Sequence, residues 1–162
     1  MNLLNTIVNS MEVASSPFDK ATPAKGRDCF MLFYDDLRRE YSGSQNAHPD
    51  CGHRVLCVEA YERFFRYRQT YTGHYFRLMY NIVKFIATSE AENKQTYINI
   101  LRAQLSSSEL NLLFYNCISK YGSEKFRPLV EKFGLLENMD FSRLLDQKHR
   151  ELFNESAFNS PP

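Results

Sequence analysis

The chain has 162 residues, 43% of them apolar, with 13 Phe and 10 Tyr; that is enough for one domain with a substantial core and too aromatic for a disordered chain. Twenty Lys and Arg against 19 Asp and Glu leave a formal charge of +1, which excludes a whole-surface electrostatic grip on nucleic acid but not a local basic patch. No run approaches about 18 consecutive apolar residues, so no membrane segment is expected, and with no secretory signal visible Cys29, Cys51, Cys57 and Cys117 read as reduced thiols of a cytoplasmic protein.

Residues 1–25 read as an N-terminal arm and linker: a short apolar piece, Leu3-Leu4-Asn5-Thr6-Ile7-Val8, then a polar segment containing Pro17 and Pro23. Apolar residues at Phe30, Phe33, Tyr34, Leu37 and Tyr41 follow helical spacing, and Ser42-Gly43-Ser44 is expected to end that helix. A polar loop to His53 follows. The pattern then predicts a long helix from about Arg54 to Ala87, with a break expected near Gly73. On an ideal helix, Arg66, Thr70, His74, Arg77, Asn81 and Lys84 fall within about an 80° sector, and most other directions are apolar or aromatic. This predicts that the helix is the central, most buried element, with one polar stripe, and that Phe65, Phe76, Tyr80 and Val83 are largely inaccessible.

A polar turn precedes a helix expected over Tyr97–Leu105. Ser106-Ser107-Ser108-Glu109 reads as a capping box that opens a helix from Glu109 to Tyr121, stopped by Gly122 as a C-terminal cap residue. Ser123–Phe133 reads as a shorter helical piece stopped by Gly134, and Asp140 as the cap of a final amphipathic helix carrying Phe141, Leu144, Leu145, His149 and Leu152. Residues 154–162 read as a frayed tail. The expected fold is all-α: a compact multi-helix bundle, residues 26–153, around one long buried central helix.

Three stretches place polar groups inside apparently buried helices: Gly73-His74-Tyr75-Phe76-Arg77, Arg102-Ala103-Gln104-Leu105-Ser106, and Leu113-Phe114-Tyr115-Asn116. Burying such groups unpaired costs several kcal/mol each, roughly. With Tyr80, Lys84, Tyr97, Leu101, Glu109 and the Phe126–Phe133 segment, these stretches resemble the phage abortive infection protein family, the AbiC-like group, over about residues 26–136. The resemblance implies bacterial defence against phage by arresting the infected cell. It implies no particular chemical reaction, because the family is defined by a phenotype.

The polar set His74, Arg77, Arg102, Gln104, Tyr115 and Asn116 is the candidate binding site; the alternative is a structural network bridging helices. Arg68 and His74, and again Arg143 and His149, are spaced like the arginine–histidine signature of HEPN-class ribonucleases, in which His acts as general acid or base and Arg stabilises phosphate charge. Arg68 and His74 sit about 120° apart on an ideal helix, so their convergence needs a kink. His48, Cys51, His53 and Cys57 are ligand types for zinc at an irregular spacing, and no metal is expected. Arg63, Arg66 and Arg68 interleaved with Tyr61, Phe64, Phe65, Tyr67 and Tyr71 suit single-stranded nucleic acid, or else a buried helix whose Arg heads reach water. There is no Gly-rich phosphate loop, no nucleophile elbow and no paired Cys-x-x-Cys motif, and nothing indicates a cofactor. The expected function is that of a toxin-like effector or a phage-sensing interaction module. The alternatives are a metal-independent ribonuclease and a partner-dependent structural subunit. Partners left open are a phage or host protein, RNA, or a second copy of the chain.

Overall fold

The computed structural model describes residues 2–14 and 23–159. Six α-helices carry the fold: α1 (Asn2–Asn9), α2 (Asp28–Ala47), α3 (His53–Thr88), α4 (Lys94–Arg102), α5 (Ser107–Ile118) and α6 (Arg127–Phe133). A two-residue antiparallel ribbon joins β1 (Glu12–Val13) to β2 (Ala24–Lys25), an element with no alternation long enough to read from sequence. Most of the expected linker lies outside the described residues.

The 36 residues of α3 make a rod about 54 Å long. It packs against α1, α2, α4, α5 and α6, which makes it the organising element of the bundle. The stripe expected on it is real: Arg66, Thr70, His74, Arg77, Asn81 and Lys84 are all exposed. The expected break at Gly73 does not occur, and the helix is continuous. Phe76 and Val83 are buried as expected, whereas Phe65 and Tyr80 are half-buried because they border a cavity. The most enclosed helix is α5 and not, as expected, α3: every residue from Ser108 to Ile118 is buried, whereas α3 gives one whole stripe to solvent.

Local chemistry explains the helix ends. Ser106 Oγ accepts the Glu109 N–H at 3.3 Å and Glu109 Oε2 accepts the Ser106 N–H at 2.7 Å, the expected reciprocal capping box. Asn93 starts α4 earlier than expected by accepting the Thr96 N–H. Gly134 closes α6 at φ 59°, a left-handed position that favours glycine. Gly122 has another reason to be glycine: a Cβ there would lie 2.6 Å from Asn116 Oδ1 and 2.8 Å from the Asn116 carbonyl oxygen.

Three expectations are corrected by tertiary packing. Helix α2 runs through Ser42-Gly43-Ser44 to Ala47, because Ser44 Oγ bonds the Glu40 carbonyl and Arg63 of α3 reaches both Ser44 and Glu40. The final helix does not form. Asp140 and Asp146 each cap a short 3-10 turn (Phe141–Arg143 and Gln147–Leu152), and Phe153 and Phe158 anchor the strap between them and the core. The segments read as arm and tail also pack inward: Leu4, Val8, Met11 and Val13 are buried, as are Ala157 and Phe158, with the Leu136 N–H bonded to the Ala157 carbonyl. Apolar side chains spaced Leu4 to Val8 present one face of α1 to the bundle.

Candidate functional site

The six residues expected to form one buried site go to four places. His74 and Arg77 lie on the exposed stripe of α3, not in the core. Arg102 is buried at the end of α4, where Nη1 donates to the Gly134 carbonyl at 3.1 Å and pairs with Glu137. It therefore ties α4 to the C-terminal cap of α6. Gln104 belongs to a second cluster, and Tyr115 to a third. Asn116 alone comes close to Arg77, across a cavity.

The second cluster centres on Glu109, a fully buried carboxylate. It accepts the Tyr75 hydroxyl at 2.6 Å and the Arg27 guanidinium at 3.1 Å, besides its capping bond to Ser106. Arg27 also donates to the Gln104 carbonyl and to Asn5 Oδ1, and Asn5 Nδ2 donates to Gln104 Oε1. Asn5 and Arg27 escaped the sequence reading because both lie far along the chain from the motifs they serve. Burial and the Glu109 charge push the Tyr75 hydroxyl well above its ordinary pKa, so it stays a donor. Every strong group here has a partner, and the cluster is a structural joint between α1, α2, α3 and α5.

The third cluster surrounds His149, which is fully buried. The Tyr115 hydroxyl lies 3.0 Å from Nδ1 and the Tyr41 hydroxyl 3.4 Å from Nε2, while the His53 ring stacks at 5.4 Å. The Tyr115 hydroxyl also accepts the Leu145 N–H at 2.8 Å. Burial, assisted by the neighbouring His53, holds the imidazole pKa down at about 4, so the ring is neutral near pH 7. Arg143 lies instead over the Tyr34 ring, 4.9 Å from its centroid. His149 serves packing.

Arg68 is also committed: its guanidinium binds Asp36 Oδ2 at 2.8 and 2.7 Å and lies over the Phe33 ring. It faces α2, while His74 is on the exposed stripe, and the straight α3 supplies no kink to bring them together. Arg63 pairs with Glu40 and Glu59, so of the three interleaved arginines only Arg66 is left to solvent. Among the described residues no three His, Cys, Asp or Glu gather as for a metal ion. His48 and Cys51 are exposed, His53 stacks on His149, and Cys57 is buried with its thiol pushed up to about 12 and donating to the Arg54 carbonyl.

What does converge is a cavity of about 390 Å³ between α3, α5 and the turn that enters α6. From α3 come Phe65, Gly73, Phe76, Arg77 and Tyr80; from α5 comes Asn116, and beyond it Tyr121, Lys125 and Phe126. Phe65 stacks on Tyr121 at 4.1 Å, and Tyr80 meets Phe126 edge-on at 5.7 Å. Asn116 is fixed at the wall by donating to the Tyr61 hydroxyl at 2.9 Å. Lys125, Tyr121 and Phe126 were missed as site residues because they follow Gly122 in what reads as an ordinary helix boundary. A second, more apolar groove runs between the end of α3 and α4, lined by Phe85, Tyr97 and Ile100 among others. Among the described residues, no helix is long and apolar enough to cross a membrane.

A family model described as Putative phage abortive infection protein matches residues 67–144. No curated protein and no solved structure matches the chain. The matched stretch contains every residue of the cavity except Phe65, together with Arg102, Gln104, Glu109 and Tyr115. Over that segment, a little under half of the chain, the sequence is similar to the family described as Putative phage abortive infection protein.

Proposed function

We propose that this chain is a cytoplasmic bacterial anti-phage defence protein of the abortive-infection type that works as a binding module, and that the α3–α5 cavity is its working site. One observation supports this reading above the others. Residues of two separate motif stretches, Gly73 with Arg77 and Asn116, line the same cavity, whereas Tyr75, Arg102 and Tyr115 are consumed by structural bonds and His74 is exposed outside it. The cavity offers aromatic faces, an amide and two cations, which is the equipment of recognition. The similarity to the family supports the phenotype, and the cavity supplies a place for sensing a phage or host component.

The test is phage plating with the wild-type chain and with Arg77→Ala and Lys125→Ala, both exposed positions whose loss leaves the core intact. Circular dichroism checks that each variant is folded. Protection is expected to fall in both, singly or combined. His74→Ala is the comparison; its side chain does not line the cavity, and it is expected to protect like wild type. Full protection by the folded double variant would overturn the reading.

A further inference from the structure

Gly73 sits in the interior of a 36-residue helix, at a position where glycine weakens the helix relative to alanine. Its backbone does not need glycine, since only Gly26 and Gly134 adopt positive φ among the described residues. Packing does not need it either. A Cβ at Gly73 would meet only Phe65 Cζ at 3.5 Å and Arg77 Nη2 at 3.8 Å, both ordinary contacts. What the missing side chain leaves is space, and that space belongs to the cavity. Stability is given up where the cavity would otherwise fill, which is the mark of a site kept open for an occupant.

The lining says what the occupant is. Two aromatic pairs, Phe65 with Tyr121 and Tyr80 with Phe126, present flat apolar surfaces around the opening. Arg77 and Lys125 are exposed beside them, and neither has an ion-pair or hydrogen-bond partner among the described residues. Unpaired cations beside aromatic faces complement a ligand that is flat and aromatic at one end and anionic at the other. An arginine fork suits phosphate in particular, and bases stack on aromatic rings without regard to sequence. The volume of about 390 Å³ lies in the range of small-ligand sites and suits one nucleotide rather than a longer strand.

We propose that the α3–α5 cavity binds a free nucleotide, its base against the aromatic walls and its phosphate between Arg77 and Lys125. This rests on the reading of the cavity as the working site, and it names the ligand class for it.

The purified full chain is titrated by calorimetry at low salt with each of the common nucleoside monophosphates. Parallel arms use the nucleosides, inorganic phosphate, and a short single-stranded RNA. At least one monophosphate is expected to bind saturably at one per chain. Its nucleoside and inorganic phosphate should each bind at least about tenfold more weakly. Arg77→Gln with Lys125→Gln should weaken binding by about tenfold or more, with the weakening largest at low salt. Gly73→Leu should abolish binding in a folded protein; Gly73→Ala, which cannot fail to fold for steric reasons, should raise the melting temperature and weaken binding. No monophosphate binding at millimolar concentration overturns the proposal. So does phosphate binding as well as the nucleotide, or RNA binding where free nucleotides do not. Failure of the two readings can be told apart. If nothing binds but Arg77→Ala still loses protection, the ligand class is wrong and the cavity remains the site. If a nucleotide binds but Arg77→Ala protects fully, the site is real and the defence reading falls.

Discussion

The Tyr75 hydroxyl donates a 2.6 Å hydrogen bond to the carboxylate of Glu109, joining the Gly73–Arg77 motif on α3 to the capping box of α5 across 34 positions of sequence. Tyr75 and Glu109 are both fully buried. The same carboxylate caps its own helix and receives Arg27, so one side chain fixes the angle at which three helices meet.

Glu109→Ala is expected to destabilise the fold by about 2–4 kcal/mol, through loss of the cap and a buried Tyr75 hydroxyl left without an acceptor. The cost is kept at that level because Arg27 is 39% exposed and regains water when its partner goes. Tyr75→Phe should cost about 1–2 kcal/mol, since the carboxylate keeps its other donors. Urea unfolding of both variants measures this. A Glu109→Ala protein as stable as wild type would mean that the cluster contributes nothing.

Arg102→Ala should cost about 2–3 kcal/mol, because the Gly134 carbonyl and Glu137 lose a buried partner. Thermal melts read the effect, and hydrogen exchange should show the loosening concentrated at the end of α6. Unchanged exchange there would assign Arg102 a role other than pinning that cap.

The fold should weaken in mild acid through His149. Its folded pKa, near 4, lies below the ordinary value of 6.5, so the unfolded chain takes up the proton first. The stabilising effect of the neutral ring is complete above about pH 6.5 and is lost as pH falls towards 4, by up to about 3 kcal/mol. Denaturation midpoints across that window, compared with His149→Gln, test it. The variant should show a flatter dependence, and an equally steep one would assign the acid sensitivity to other groups.

A chain beginning at residue 26 should be much less stable than the full chain. Burial of Leu4, Val8, Met11 and Val13 is lost, each worth roughly 1.5–3 kcal/mol, and so is the Asn5 contact to Arg27. Val8→Asp, at a position with no exposure, isolates part of the effect. Cooperative unfolding of the truncated chain at the full-length midpoint would show that α1 contributes no net stability.

Much of this architecture was legible in the chain, because helical periodicity and capping are local. The stripe from Arg66 to Lys84, the Ser106–Glu109 capping box and the glycine stop at Gly134 depend only on residues within a few positions of one another. The α2 boundary was misread because Arg63, nineteen positions beyond Ser44, holds the helix through its glycine. The last helix was misread because Phe153 and Phe158 gain more from packing on the core than the segment gains from a continuous turn.

The sequence by itself determined that this is an all-α chain with a long, one-sided polar helix and motif stretches similar to those of the abortive-infection family. It also showed that those motifs place polar groups where burial is costly. Only the tertiary structure decided how each cost is met: Glu109 takes Tyr75, Gly134 takes Arg102, His149 takes Tyr115, and Arg77 is left facing a cavity with Asn116. A hydrogen bond selects its partner by distance in space, and positions 34 residues apart in a chain carry no periodic signal that they will meet.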